Sequence, residues 1–97
     1  MTRRRVEIDD EAKLELRRAR EWYAARSESA AERFEEEIVQ AVDILAEEAE
    51  TFAVYEGETR RKLLPTFPYA LVFEVIDEVV FIVAIAHLKR EPAYWKK

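Results

Sequence analysis

The stretch that decides the fold is Tyr69-Ala70-Leu71-Val72-Phe73-Glu74-Val75-Ile76, then Asp77-Glu78, then Val79-Val80-Phe81-Ile82-Val83-Ala84-Ile85-Ala86-His87. Two runs of β-branched and aromatic residues, interrupted only by a charged pair, read as an antiparallel hairpin. Asp77 and Glu78 make its turn, although two-residue loops prefer glycine or asparagine. With those two as the loop, Ile76 faces Val79 and Val72 faces Val83, and the two-residue period of a strand divides the side chains between two faces. One face takes Tyr69, Leu71, Phe73, Val75, Val80, Ile82, Ala84 and Ala86, carries no charge, and is a bed for helices. The other takes Ala70, Val72, Glu74, Ile76, Val79, Phe81, Val83, Ile85 and His87. Glu74 marks it as the solvent side, because a lone buried carboxylate is costly unless paired.

Working upstream, Pro65-Thr66-Phe67-Pro68 separates this hairpin from a third strand, Thr59 to Leu64. Pairing Leu64 with Tyr69 puts Arg61 beside Val72, on the same face as His87. Thr51 to Glu58, with the sole glycine Gly57, reads as a loop. Before it come two helices. Asp9 or Asp10 caps the first, which runs to about Arg26 and repeats Ala12, Leu16, Ala19 and Tyr23 on one stripe, with Trp22 flanking. Ser27 to Ser29 interrupts the pattern, and Ala31, Phe34, Ile38, Val42, Leu45 and Ala49 continue it on a second helix. So short a joint makes an antiparallel helix hairpin. Arg5 to Ile8 supplies a short first strand. The expectation is an α+β fold of order β-α-α-β-β-β: an N-terminal strand, then a two-helix hairpin packed on a mainly antiparallel sheet.

Ninety-seven residues with 49% apolar content suit a single domain over residues 1–97. No cysteine and one histidine exclude disulfides, thiolate metal sites and multi-histidine sites, so no metal and no cofactor are expected. The start of the chain lacks the apolar run of a signal peptide, and Val79 to Ala86 is too short to cross a membrane, so a soluble cytoplasmic protein is expected. The net charge of -5 is uneven: residues 1–50 hold 9 Lys/Arg against 15 Asp/Glu, residues 51–97 hold 7 against 6. A polyanion answers to the local field of one face, and the second half keeps that option open.

The candidate chemistry gathers there. His87 is the one side chain that titrates near neutrality in its unperturbed state. Cleavage of RNA through the 2'-hydroxyl needs a base, a cation for the phosphorane and an acid, roles that His87, Arg61, Arg90 and Tyr94 can divide. Arg60, Lys89 and Trp95 would contact the target, although the Arg60-Arg61-Lys62 run serves equally well to protect a sheet edge, and Trp95 to pack in a core. One glycine rules out a glycine-rich phosphate loop, and no histidine lies near Ser27 and Ser29, so triphosphatase and serine-hydrolase classes drop out. The second sheet face is apolar enough to need a cover, either the tail with Tyr94 and Trp95 or a segment of another protein.

Arg60-Arg61, Phe67-Pro68-Tyr69, the apolar strand pair and Ala86-His87-Leu88-Lys89-Arg90-Glu91-Pro92-Ala93-Tyr94-Trp95 together resemble the RelE/ParE toxins of type II toxin-antitoxin systems, in particular the ParE-like plasmid-stabilisation branch. Glu11-Ala12, Leu16, Ala19, Trp22-Tyr23 and Arg33-Phe34 are similar to that family's helix hairpin. The resemblance implies a growth-inhibiting toxin neutralised by a cognate antitoxin, which would lie on Val72, Phe81, Val83 and Ile85. RelE-like members cut mRNA at the ribosome and would use Arg61, His87, Arg90 and Tyr94; ParE-like members poison DNA gyrase and are not known as nucleases. The acidic balance and the long helix hairpin favour the gyrase branch. A binding module without toxicity is the reading from another class.

Overall fold

The computed structural model describes residues 3–90 and 94–95. Its elements are β1 (Arg5–Ile8), α1 (Asp10–Ala24), α2 (Glu28–Glu48), a 3-10 turn (Ala49–Thr51), β2 (Val54–Glu56), β3 (Thr59–Leu63), β4 (Tyr69–Ile76) and β5 (Val79–His87). Asp9 caps α1 by accepting from the Glu11 N–H, and Ser27 caps α2 by accepting from the Ala30 N–H, so the helix starts lie where the cap-forming residues stand. The chain turns directly from Ala25 to Ser27, and the two helices pack side by side.

Of the stripes that the three- and four-residue spacing predicts, Ala12, Ala19, Ala31, Phe34, Ile38, Leu45 and Ala49 are buried and Leu16, Tyr23 and Val42 partly buried, while Ala41, outside the predicted stripe, is buried too. They close on Leu71, Phe73, Val80, Ile82 and Ile85 of the sheet. Tyr23, Phe34, Phe67 and Tyr69 form an aromatic cluster in this layer, with ring centroids 4.8 to 6.4 Å apart. Because Phe34 is fully buried at its centre, its truncation would remove about 3–5 kcal/mol.

The sheet has five strands in the order β1-β5-β4-β3-β2, antiparallel except where β1 runs parallel to β5. The strand β2 is an addition to the expected order. Val54 and Glu56 pair with β3 across a turn at Gly57-Glu58, where Gly57 takes φ 57°, so the segment read as a loop is a short edge hairpin. Arg61 pairs with Val72 as anticipated. At the other turn Asp77 adopts φ 54°, the left-handed region that a short polar side chain tolerates best after glycine.

The β4–β5 register departs from expectation at one point. From Ile76↔Val79 to Phe73↔Ile82 the partners follow the two-residue turn, but Val72 then pairs with Ala84 and Tyr69 with His87. Val83 is thus the extra residue of a β-bulge, and beyond it β5 presents the opposite face. Ala84 and Ala86 pack with Val72 on the face turned from the helices, with Val83 against them, while Ile85 joins the core beneath the helices. The expected placement of Ile85 and His87 on the outer face, and of Ala84 and Ala86 on the inner one, is therefore corrected. The cause lies next door: β1 ends at Ile8↔Ile82, the Asp9 N–H donating to the Ile82 carbonyl, so the bulge sits where β5 loses its second strand partner.

Candidate functional site

His87 ends β5 on the helix side. Its ring lies edge-on to Tyr69, centroids 5.0 Å apart, and its Nδ1 accepts the backbone N–H of Lys89 at 3.1 Å. In the neutral ring this acceptor role leaves the hydrogen on Nε2. The chain then turns sharply, the Leu88 N–H donating to the Pro68 carbonyl and the Arg90 N–H to the His87 carbonyl. Leu88, Lys89 and Arg90 are exposed.

Arg61 occupies the other side of the sheet, as its partner Val72 requires. Its guanidinium lies over the Tyr55 ring at 4.1 Å, Tyr55 stacks at a tilt on Trp95 at 6.2 Å, Trp95 meets the edge of Tyr94 at 5.3 Å, and the Arg90 guanidinium lies over Tyr94 at 3.8 Å. This ladder of two arginines and three aromatic rings runs across Val72, Ala84 and Ala86. It supplies the cover that the apolar second face needs. Tyr94 and Trp95 fold back onto that face, and Val72, only 1% exposed, is not open to a partner. Glu91-Pro92-Ala93 of the C-terminal signature lie outside the described residues. Arg61 and His87 therefore do not share a sheet face, contrary to the straight-register expectation.

Arg60 has a different task. Its Nη1 donates to the carbonyls of Glu50 and Phe52, tying the exit of α2 to β3. Lys62 lies over Phe52 at 5.6 Å. Of the Arg60-Arg61-Lys62 run, each residue is thus engaged with the segment before β3. Tyr55 and Glu15 are neighbours of the candidate side chains that sequence reasoning did not place there. A Val54-Tyr55 pair just ahead of Gly57 was a hairpin signal for the first; nothing in the spacing of α1 singled out the second.

Glu15 projects from α1 to the free side of β5. One carboxylate oxygen accepts the Ile85 N–H at 2.9 Å and the other accepts the Tyr94 hydroxyl. Burial, reinforced by the Glu15 carboxylate, pushes the Tyr94 hydroxyl well above the ordinary tyrosine range. Tyr69 and Tyr23 are also raised, in both cases first by burial. Between α1 and this part of β5 runs a groove of about 880 Å³, with Leu14, Arg18 and Trp22 on the helix wall and Tyr69, His87 and Arg90 across from them. Among the described residues no group of three or more His, Asp or Glu side chains is placed to hold a metal ion. No helix among them is long and apolar enough to cross a membrane.

Residues 6–92 match the family model described as "ParE toxin of type II toxin-antitoxin system, parDE". No curated protein matches the chain. Among solved structures, the chromosomal ParDE TA system from P. aeruginosa superposes with a TM-score of 0.77 at 20% identity, covering 87% of this chain and 95% of that one. A mutant of E. coli toxin RelE in the free state superposes with a TM-score of 0.56 at 21% identity, covering 91% and 86%. At such identities the likeness is one of fold.

Proposed function

The chain belongs to the ParE toxin family of type II toxin-antitoxin systems, and from that premise we propose that it stops growth in the cytoplasm by binding DNA gyrase rather than by cutting RNA. The observation that carries this reading is that Arg61 and His87 approach from opposite faces of the sheet and meet only at the small pocket at the end of β5 that both border. A ribonuclease of this size needs its base, cation and acid to converge on one phosphate. Here the Arg61 guanidinium is stacked on Tyr55 on one side of the sheet and the His87 ring rests on Tyr69 on the other. The Tyr94 hydroxyl donates to a carboxylate and holds its proton more tightly than a free phenol, which makes it a poor acid. The net charge of -5 adds support, since a ribosome presents phosphate.

Family membership supports neutralisation by a cognate antitoxin, as does the P. aeruginosa neighbour, which is itself a ParDE system. In this reading the antitoxin covers Phe81 and Val83, which remain half-exposed on the outer face, and Lys89 and Arg90 meet the target. One observation favours the nuclease alternative: Arg61, His87, Arg90 and Tyr94 all border one small pocket, and the last three also line the groove beside α1. Expression of the chain alone and with its neighbouring reading frame, followed by assays of translation and gyrase supercoiling, separates the readings. Gyrase inhibition relieved by the neighbour's product is the expected result. Translation arrest with cut mRNA, abolished by His87→Gln, would replace gyrase with the ribosome as the target; unimpaired growth would leave a binding module without toxicity.

A further inference from the structure

The small pocket at the end of β5, about 20 Å³ in volume, is bordered by Arg61, His87, Arg90 and Trp95 above an apolar floor that includes Val72. Among the described residues no carboxylate borders it, although the chain holds 21 Asp and Glu against 16 Lys and Arg. Its nitrogen groups are donors. Arg61 lays the face of its guanidinium on Tyr55 and Arg90 on Tyr94, which leaves the in-plane N–H groups free, and among the described residues neither side chain forms an ion pair or a hydrogen bond. The Trp95 indole Nε1 is buried with no acceptor. His87 has its Nδ1 engaged by the Lys89 N–H, so in the neutral ring its other nitrogen is a donor as well. A buried N–H without an acceptor is costly, and two cations at one small cavity repel each other. One negative species between them answers both demands. The volume admits one species about the size of a water, for which roughly 10–15 Å³ is the least required, and is too small for a tetrahedral oxyanion.

We propose that this pocket is a binding site for a single monatomic anion of the halide class, held by the Arg61 and Arg90 guanidiniums and the Trp95 indole N–H. The anion accepts from donors that the protein leaves without acceptors and offsets the repulsion between the two cations. A water molecule would satisfy the indole but leave the guanidiniums opposed, so charge as well as size selects the occupant. Arg61 belongs to β3, Arg90 follows β5 and Trp95 stands in the C-terminal segment that packs over Val72. Occupation therefore ties three separate parts of the chain together, and the seating of Trp95 depends on it. The inference rests neither on toxicity nor on gyrase, because its readout is anion binding by the chain itself.

The test uses the full chain with Trp22→Phe, a position outside the pocket, so that emission comes from Trp95 alone, and titrates sodium chloride against sodium gluconate at constant ionic strength. Chloride is expected to change the emission saturably, and gluconate, too large for the cavity, to leave it flat. Broadening of the chloride NMR line by the unsubstituted chain should report the same site and be reversed by bromide. Replacing both Arg61→Gln and Arg90→Gln should weaken chloride binding at least about tenfold with unchanged circular dichroism. Trp95→Phe, which keeps both guanidiniums and an aromatic ring, should weaken it by a smaller factor in line broadening, and it serves as the second variant if the arginine pair proves necessary for folding. Equal responses to chloride and gluconate, which read general screening, overturn the proposal. So does a flat response to both, which leaves the pocket to water, or unchanged chloride binding in the variants. Displacement of chloride by phosphate as readily as by bromide also overturns it, by assigning an opened pocket to an oxyanion.

Discussion

The two halves of β5 are built from the same kind of residue and behave differently. Val79 to Ile82 lies between β1 and β4, and its side chains keep the alternation set by the Asp77-Glu78 turn. Val83 to His87 has β4 alone, carries the opposite alternation, and is bounded on its other side by a carboxylate from α1. A turn dictates register only as far as the pairing stays regular, and here regularity ends where the second partner does. His87 and the β5 side of the groove beside α1 belong to the irregular half.

Deleting Val83 attacks that difference most directly. Removing the bulge residue alone makes the ladder regular and keeps Ala84 and Ala86 outward and Ile85 under the helices, so the chain should still fold, whereas deleting Val83 and Ala84 together would turn Ile85 outward, and denaturant unfolding should then show a loss above about 4 kcal/mol or no folded state. Next comes a pair of truncations: Ile85→Ala should cost about 3 kcal/mol and Phe81→Ala about half as much, because only the first lies in the core under the helices. Equal costs in that pair would argue for an unbulged strand. Glu15→Ala leaves the Ile85 N–H without its acceptor and should cost about 2 kcal/mol, with faster exchange at that amide and no change at Val80. The smallest effect is set by pH. Tyr94 has a folded-state pKa raised above its unfolded value near 10, so its contribution is complete below about pH 10 and fades as pH rises through the higher folded value. Unfolding followed from pH 8 to 11 should show this alkaline decline, and Tyr94→Phe should lessen it.

Most of the scaffold could be read in advance because charge outlines it. On α1 and α2 the acidic and basic residues leave one clean apolar stripe, and Asp9 and Ser27 stand at the caps the structure uses. Arg61↔Val72 was legible for a similar reason, since two prolines delimit the loop before Tyr69. β5 offers no such outline. Between Val79 and Ala86 every residue is apolar, so a slip of one leaves both faces equally plausible and the bulge leaves no trace. The candidate site inherited that ambiguity: its residues were named, but the claim that Arg61 and His87 share a face rested on the register that Val83 breaks. Strand β2 was hidden by its length of three residues, and with it Tyr55, the ring on which Arg61 rests. Glu15 looked like one more solvated carboxylate on a charged helix.

The chain's two tryptophans stand in contrasting surroundings, Trp22 half open to water under the Arg26 guanidinium at 3.6 Å and Trp95 between Tyr55 and Tyr94. They are separate optical channels. With Trp22 replaced by phenylalanine, emission reports the folded-back tail alone; with Trp95 replaced, it reports the outer wall of α1. The two probes stand on either side of the Glu15 carboxylate, and the order in which a bound molecule changes them records which side is engaged first.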